Sequence, residues 1–125
     1  MKILVFILSP TANAGCEILT LSESNGSYLI PSIEANENLQ SETLKYSQNL
    51  LNVQNVELLT YLGSVEAVHA YVLRTIKVQL ETQRLMKLGF QFVSLNLSLR
   101  DNVQAEAQDF WKSLTDYTQE YMIWE

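Results

Sequence analysis

The sequence predicts an α/β (α+β) fold: a mixed β-sheet sandwiched by helices, with a C-terminal amphipathic helix. Three observations carry this reading. Short runs rich in Ile, Val and Phe alternate with turn residues through much of the chain, a helix-like segment lies near residues 39–51, and a longer apolar stripe of helical spacing closes the sequence. With 125 residues, 47% hydrophobic and 18% charged, the chain has the length and composition of one domain over 1–125 rather than of a disordered segment.

Residues 2–8 (KILVFIL) form a β-type run that Ser9-Pro10 should end, and the small polar residues 11–15 make a loop. Residues 17–22 (EILTLS) are a second strand. Ser24-Asn25-Gly26 is a turn signal, since Gly26 tolerates positive φ. Residues 27–30 return as the other hairpin arm, which Pro31 closes because it cannot extend a ladder. A short acidic loop holding Glu34 and Glu37 leads to Asn38 as helix N-cap, and Leu44, Ser47, Leu50 and Leu51 share the inner face of the helix. Asn52 and Asn55 mark its exit. Residues 56–62 (VELLTYL) and 68–76 (VHAYVLRTI) are strands, with Gly63-Ser64 as a break between them. Residues 77–88 fit either a strand or a short helix. Gly89 ends them, and 90–97 (FQFVSLNL) alternate as a half-buried strand. In the last element, Asp101 and Gln104 suggest a capping box. Val103, Ala107, Phe110, Leu114, Tyr117 and Tyr121 then form one stripe, with Trp111 off it. A stripe of this kind packs on its own sheet or makes a homodimer seam, and the apolar tail around Trp124 is a second surface for a homodimer.

A net charge of −6 and a pI near 4.7 argue against general nucleic-acid binding, which needs a basic face. The charge is uneven. Residues 74–100 carry Arg74, Lys77, Arg84, Lys87 and Arg100 against Glu81, whereas 101–125 carry six acids against Lys112. The basic segment suggests a small anion site with Arg74 and Lys77 as binding residues. Cys16 is the only cysteine, which fits a reducing, cytoplasmic compartment and gives a thiol with no base or metal partner nearby in sequence. The N-terminus has some features of a signal peptide, with Lys2 and Ala12-x-Ala14. Its apolar run is shorter than the roughly 7 to 15 residues of such a signal, so a buried first strand is the reading taken. No stretch approaches the roughly 18 apolar residues of a membrane span, so no membrane partner is expected. His69 is the only histidine, and its alternation with Val68 and Ala70 reads as a satisfied strand residue.

The phrase YLIPSIEANENLQSETLKYSQNLLNV (28–53), the hairpin before it and the late GFQFVSLNLSL together resemble the Nudix hydrolases. The resemblance covers residues 3 to 115 and implies their mixed-sheet fold. In that family the box runs Gly, five residues, Glu, seven residues, Arg-Glu, aliphatic, any, Glu-Glu, any, Gly. Its three helical glutamates converge on Mg²⁺, which neutralises a diphosphate and activates water. Carried over by position, Glu37 matches the first Glu and Lys45 the Arg. Tyr46, Asn49 and Leu50 fall where the three helical glutamates belong, Ser32 stands near the opening Gly, and Asn52 replaces the closing one. No acid occurs from 43 to 56, so no shift of register restores the ligands.

The resemblance with this departure implies a Nudix-fold protein that has lost metal-dependent hydrolysis. It would bind a nucleotide-like or other phosphate-bearing small molecule, using Arg74, Lys77 and Lys45, or a protein partner. No metal site is assigned and no cofactor is expected. The first alternative is a divergent diphosphohydrolase using Mg²⁺ with Glu34 and Glu37 as catalytic acids, assisted by Glu42 with Glu57 or Glu81. The second is a small acidic inhibitor of immunity type that blocks a basic partner.

Overall fold

The structure is a computed structural model and describes residues 1–11, 15–75 and 81–121. Its centre is β1 (Lys2–Pro10), in which every side chain from Ile3 to Leu8 is fully buried. Because side chains alternate along a strand, Leu4, Phe6 and Leu8 enter one hydrophobic cluster, and Ile3, Val5 and Ile7 the other. A continuous apolar run of this kind marks a strand covered on both faces.

Along one edge of β1 lies β6 (Val68–Arg74), parallel to it from Lys2↔Val68 to Leu8↔Arg74. Along the other edge, β2 (Cys16–Ser22) pairs with the upper end of β1 and β4 (Ser32–Glu34) with the lower end, both antiparallel. β3 (Tyr28–Leu29) and β7 (Phe90–Ser94) pair with β2, and β5 (Glu57–Val65) with β6. The sheet order is β3-β2-β1-β6-β5, with β4 on β1 and β7 on β2. One parallel pair among antiparallel ones makes the sheet mixed, as predicted. Helix α1 (Leu39–Leu51) covers the face of Ile3, Val5 and Ile7, with α2 (Thr82–Lys87) beside it. A 3-10 helix (Leu97–Asn102), α3 (Ala105–Gln108) and α4 (Trp111–Tyr121) belong to the other side, where Val103, Ala107, Phe110, Trp111 and Leu114 join the first cluster. No helix among the described residues is long and apolar enough to cross a membrane.

Several local expectations are corrected. β1 runs through Ser9 to Pro10, which pairs with Cys16 as the terminal residue, where a missing N–H is tolerated. Glu34 is on β4 rather than in a loop, because the lower edge of β1 has backbone groups that Ser32–Glu34 satisfies. Gly63-Ser64 does not break the strand. Gly63 takes φ +100° at a register shift inside β5, and the turn to β6 falls on Glu66 and Ala67, both at positive φ. The segment left open between strand and helix contains α2, while residues 76–80 lie outside the described ones. Residues 101–121 are not one helix. Asp101 ends inside the 3-10 helix and caps nothing. Gln104 uses its amide to accept from Ile30 N at 2.9 Å and donate to Ile30 O at 3.1 Å, fastening this segment to the hairpin arm. At Asp109–Phe110 the N–H of Phe110 turns back to Ala107 O, a tightened turn that rotates the chain by about 120° per residue rather than 100°. This carries Trp111, expected off the stripe, fully into the core.

The predicted stripe packs on its own sheet as far as Leu114. Tyr117 is half-buried and Tyr121 is 49% exposed, while the tail with Trp124 lies outside the described residues. Phe6 meets Phe110 and Trp111 edge-on, with ring centroids 6.4 and 6.3 Å apart, and the indole N–H donates to Asn96 O at 3.1 Å. Trp111→Ala should therefore lower stability by about 3–5 kcal/mol in urea unfolding, and a loss below about 1 kcal/mol would contradict this packing. The end of α1 gives a second test. Asn52 adopts φ +56° and ψ +40°, and its N–H bonds to Gln48 O. Asn52→Gly should stay within roughly 0.5 kcal/mol of the parent, whereas Asn52→Ala should lose about 1–2 kcal/mol, both measured by the same unfolding curve.

Candidate functional site

The segment leading to the candidate site is set by β4, which hands the chain to α1 across the α1-side face. Ala35 N donates to Met1 O, and the amino group of Met1 donates to Ala35 O at 2.8 Å, tying this crossing to the start of β1. Asn38 precedes the helix as predicted, but in the left-handed conformation and without a side-chain cap. The helix lies close on the sheet because its fully buried line is Thr43, Ser47 and Leu51, with small hydroxyl residues where bulk would hold it away. Their hydroxyls donate back into the helix, Thr43 to Leu39 O at 2.7 Å and Ser47 to Thr43 O at 2.9 Å, so both are satisfied in the apolar layer. Leu44 and Leu50, predicted for the inner face, are half-buried at its margins.

Tyr46, Asn49 and Leu50 lie beside that line. Tyr46 and Leu50 pack against the cluster of Leu51, Leu85 and Tyr71, to which Phe90 and Phe92 also contribute, while Asn49 is exposed. Burial raises the phenol pKa of Tyr46, so it presents a neutral hydroxyl at ordinary pH. The carbonyl of Leu50 accepts from Nη1 of Arg84 on α2 at 2.7 Å. At the next turn, Asn52 holds the left-handed geometry in which a helix-ending glycine would be unstrained. The helix thus ends in a left-handed stop, and its positions 46, 49 and 50 carry a phenol, an amide and a hydrocarbon.

These groups do not fit the divalent cation that a complete box would hold, because Mg²⁺ takes carboxylate oxygen and Leu50 supplies only a carbonyl already in use. The other acids do not replace them. Glu37 and Glu42 are exposed near the start of α1. Glu34 follows Ile33, which packs into the α1-side cluster, so its side chain is directed to the opposite face, in register with Lys2. Its carboxylate stands 3.5 Å from the Met1 amino group. Glu57 pairs with Arg74 at 2.7 Å. Among the described residues, no three Asp, Glu, His or Cys side chains group so as to hold a metal ion.

The predicted cationic residues are also separated. Arg74 follows Ala70 and Val72 on the face covered by α4, where its charge and that of Glu57 act on Tyr117. Lys45 is exposed on α1, on the other side of the sheet. Lys77 lies outside the described residues. Sequence reasoning missed that Arg84 and Lys87, one helical turn apart on α2, line one open groove beside the end of α1. Their i, i+3 spacing was the available signal, but it became informative only once residues 82–87 proved helical. His69 is satisfied as expected, with Nδ1 2.8 Å from the Tyr61 hydroxyl and the two rings stacked. Desolvation pushes the Cys16 thiol up to about 11, opposite to what a nucleophile needs.

No protein-family sequence model matches the chain, and no curated protein does. Solved structures do match it in shape. A mutT/nudix family protein from Listeria innocua superposes with a TM-score of 0.68 at 10% identity, covering 98% of this chain and 94% of that one. A Nudix hydrolase from M. smegmatis, RenU, gives 0.65 at 10% identity, covering 97% and 87%. The C-terminal domain of mouse MUTYH, seen in complex with human PCNA, gives 0.59 at 11% identity, covering 94% and 88%. Identity this low shows the fold alone, and the fold of this chain is that of the Nudix hydrolases.

Proposed function

We propose that this chain is a Nudix-fold binding protein that has lost metal-dependent hydrolysis and takes a nucleotide-like, phosphate-bearing ligand. The observation that carries this reading is the state of α1. Its buried line and its left-handed stop at Asn52 are intact, yet Tyr46, Asn49 and Leu50 stand at the positions of the metal-binding glutamates. A helix in this state can position a ligand but cannot gather the charge that activates water on a diphosphate. Cations near the site, Lys45 on α1 and Arg84 on α2, supply attraction for an anion without catalysis. A second reading, recognition of a protein partner, is supported by the MUTYH domain, whose structure is that of a complex with PCNA.

Purified protein should leave the diphosphate bond of nucleoside diphosphate derivatives intact with Mg²⁺ or Mn²⁺ present, with no nucleoside monophosphate formed, and Glu37→Gln and Glu34→Gln should leave that baseline unchanged. Metal-dependent turnover that disappears in Glu37→Gln would restore the divergent-hydrolase reading. In a thermal-shift series, a nucleotide at 100 times its dissociation constant should stabilise the protein by about 2.7 kcal/mol, with or without metal. Stabilisation that needs Mg²⁺ would count against the proposal, and silence across the whole panel would favour the protein partner.

A further inference from the structure

The groove beside α2 has a volume of about 770 Å³ and is lined by Glu81, Thr82, Gln83, Arg84, Lys87 and Leu88. Among the described residues, its charge is two cations against one carboxylate. Neither Arg84 nor Lys87 makes an ion pair with a described residue, in contrast to Arg74 with Glu57 and Arg100 with Asp101. Arg84 is exposed but not free to wander. Nη1 is anchored on Leu50 O, leaving the rest of its planar fork to meet a ligand, and Leu85 next to it is buried. An anchored guanidinium has already lost much of the side-chain freedom that an unanchored one would lose on binding.

The position of that anchor matters. The Leu50 carbonyl lies in the last turn of α1, so the anchor holds the Arg84 guanidinium, and with it the positive charge of the groove, against the end of that helix. We infer that Arg84, together with Lys87, forms a metal-independent diphosphate-binding site on α2, beside the end of α1. This rests on the phosphate-ligand reading above and gives it residues. Arg84 supplies paired N–H donors to phosphate oxygens, Lys87 adds a second charge one turn on, and Thr82 and Gln83 offer a hydroxyl and an amide at the rim. Glu81 works against the ligand.

The test uses inorganic pyrophosphate and the full chain, by calorimetry in EDTA at low ionic strength. Pyrophosphate should bind without metal, and added Mg²⁺ should not tighten it. Arg84→Ala and Lys87→Ala should each weaken binding roughly three- to tenfold, Glu81→Gln should strengthen it, and Arg100→Ala should leave it unchanged. Should Arg84→Ala fold poorly, Lys87→Ala decides, because Lys87 is exposed. Absence of pyrophosphate binding, or an affinity indifferent to Lys87→Ala and Arg84→Ala, overturns the inference. Neither result touches the wider proposal, which fails on metal-dependent turnover instead.

Discussion

Burial of β1 on both faces is the constraint on which the rest of the structure depends. Six consecutive residues, Ile3 to Leu8, are removed from water, three into each hydrophobic layer. Full burial of such side chains contributes about 1.5–3 kcal/mol each, and it requires that both faces of one strand be covered at once. The chain meets that demand with two unlike layers. One is α1, brought close by Thr43 and Ser47. The other is the 3-10 helix, α3 and α4, which fill their side with Phe110, Trp111 and Leu114. The parallel pairing of β1 with β6 joins strands distant in sequence, and the intervening segment has room for the hairpin, β4, α1 and β5. The candidate site is where it is because β4 must finish the lower edge of β1 before α1 can begin.

What could be read from the sequence was whatever a local pattern decides. The unbroken apolar run of β1, the Gly26 turn, the alternation of β7 with Phe90 and Phe92 on one side, and the extent of α1 all express a period or a punctuating residue in their own segment. What escaped was decided elsewhere. β4 is three residues with no signal of its own, and it is a strand because a neighbouring edge offers hydrogen bonds. The Glu66–Ala67 turn is worse, locally, than a turn at Gly63-Ser64, but it preserves the pairing of Val65 with Val68 and leaves Gly63 to absorb an irregularity. Gln104 looked like half of a capping box and instead grips Ile30, 74 residues away. Trp111 required knowledge of one tightened turn.

The site divides along the same line. The side chains at 46, 49 and 50 were readable directly, since residue identity at fixed spacing needs no structure. Glu34 and Glu37 look adjacent in sequence, but strand alternation directs Glu34 to the other face of the sheet. The basic segment 74–100 reads as one patch, yet its described cations lie in three places, Arg74 on β6, Arg84 and Lys87 on α2, and Arg100 in the 3-10 helix. Linear charge density says little about a site when consecutive charges lie on different elements. Only the pair within one helical turn, Arg84 and Lys87, survives as a local feature.

Tyr46, Asn49 and Leu50 also suit their surroundings physically. Three glutamates at 46, 49 and 50 would repel one another on neighbouring turns, and two of them would sit in the last turn of α1, where the helix dipole disfavours negative charge. A bound divalent cation offsets both terms, and without one they are simply unfavourable. With Tyr46 and Leu50 half-buried against the Leu85 and Leu51 cluster, carboxylates there would also be partly desolvated. Tyrosine and leucine turn the same positions into packing surface, and Arg84 at the Leu50 carbonyl places a cation where the dipole favours one. Neutral side chains at 46, 49 and 50 and a guanidinium at the Leu50 carbonyl are in this sense consistent with each other, since both lower the electrostatic cost at the end of α1.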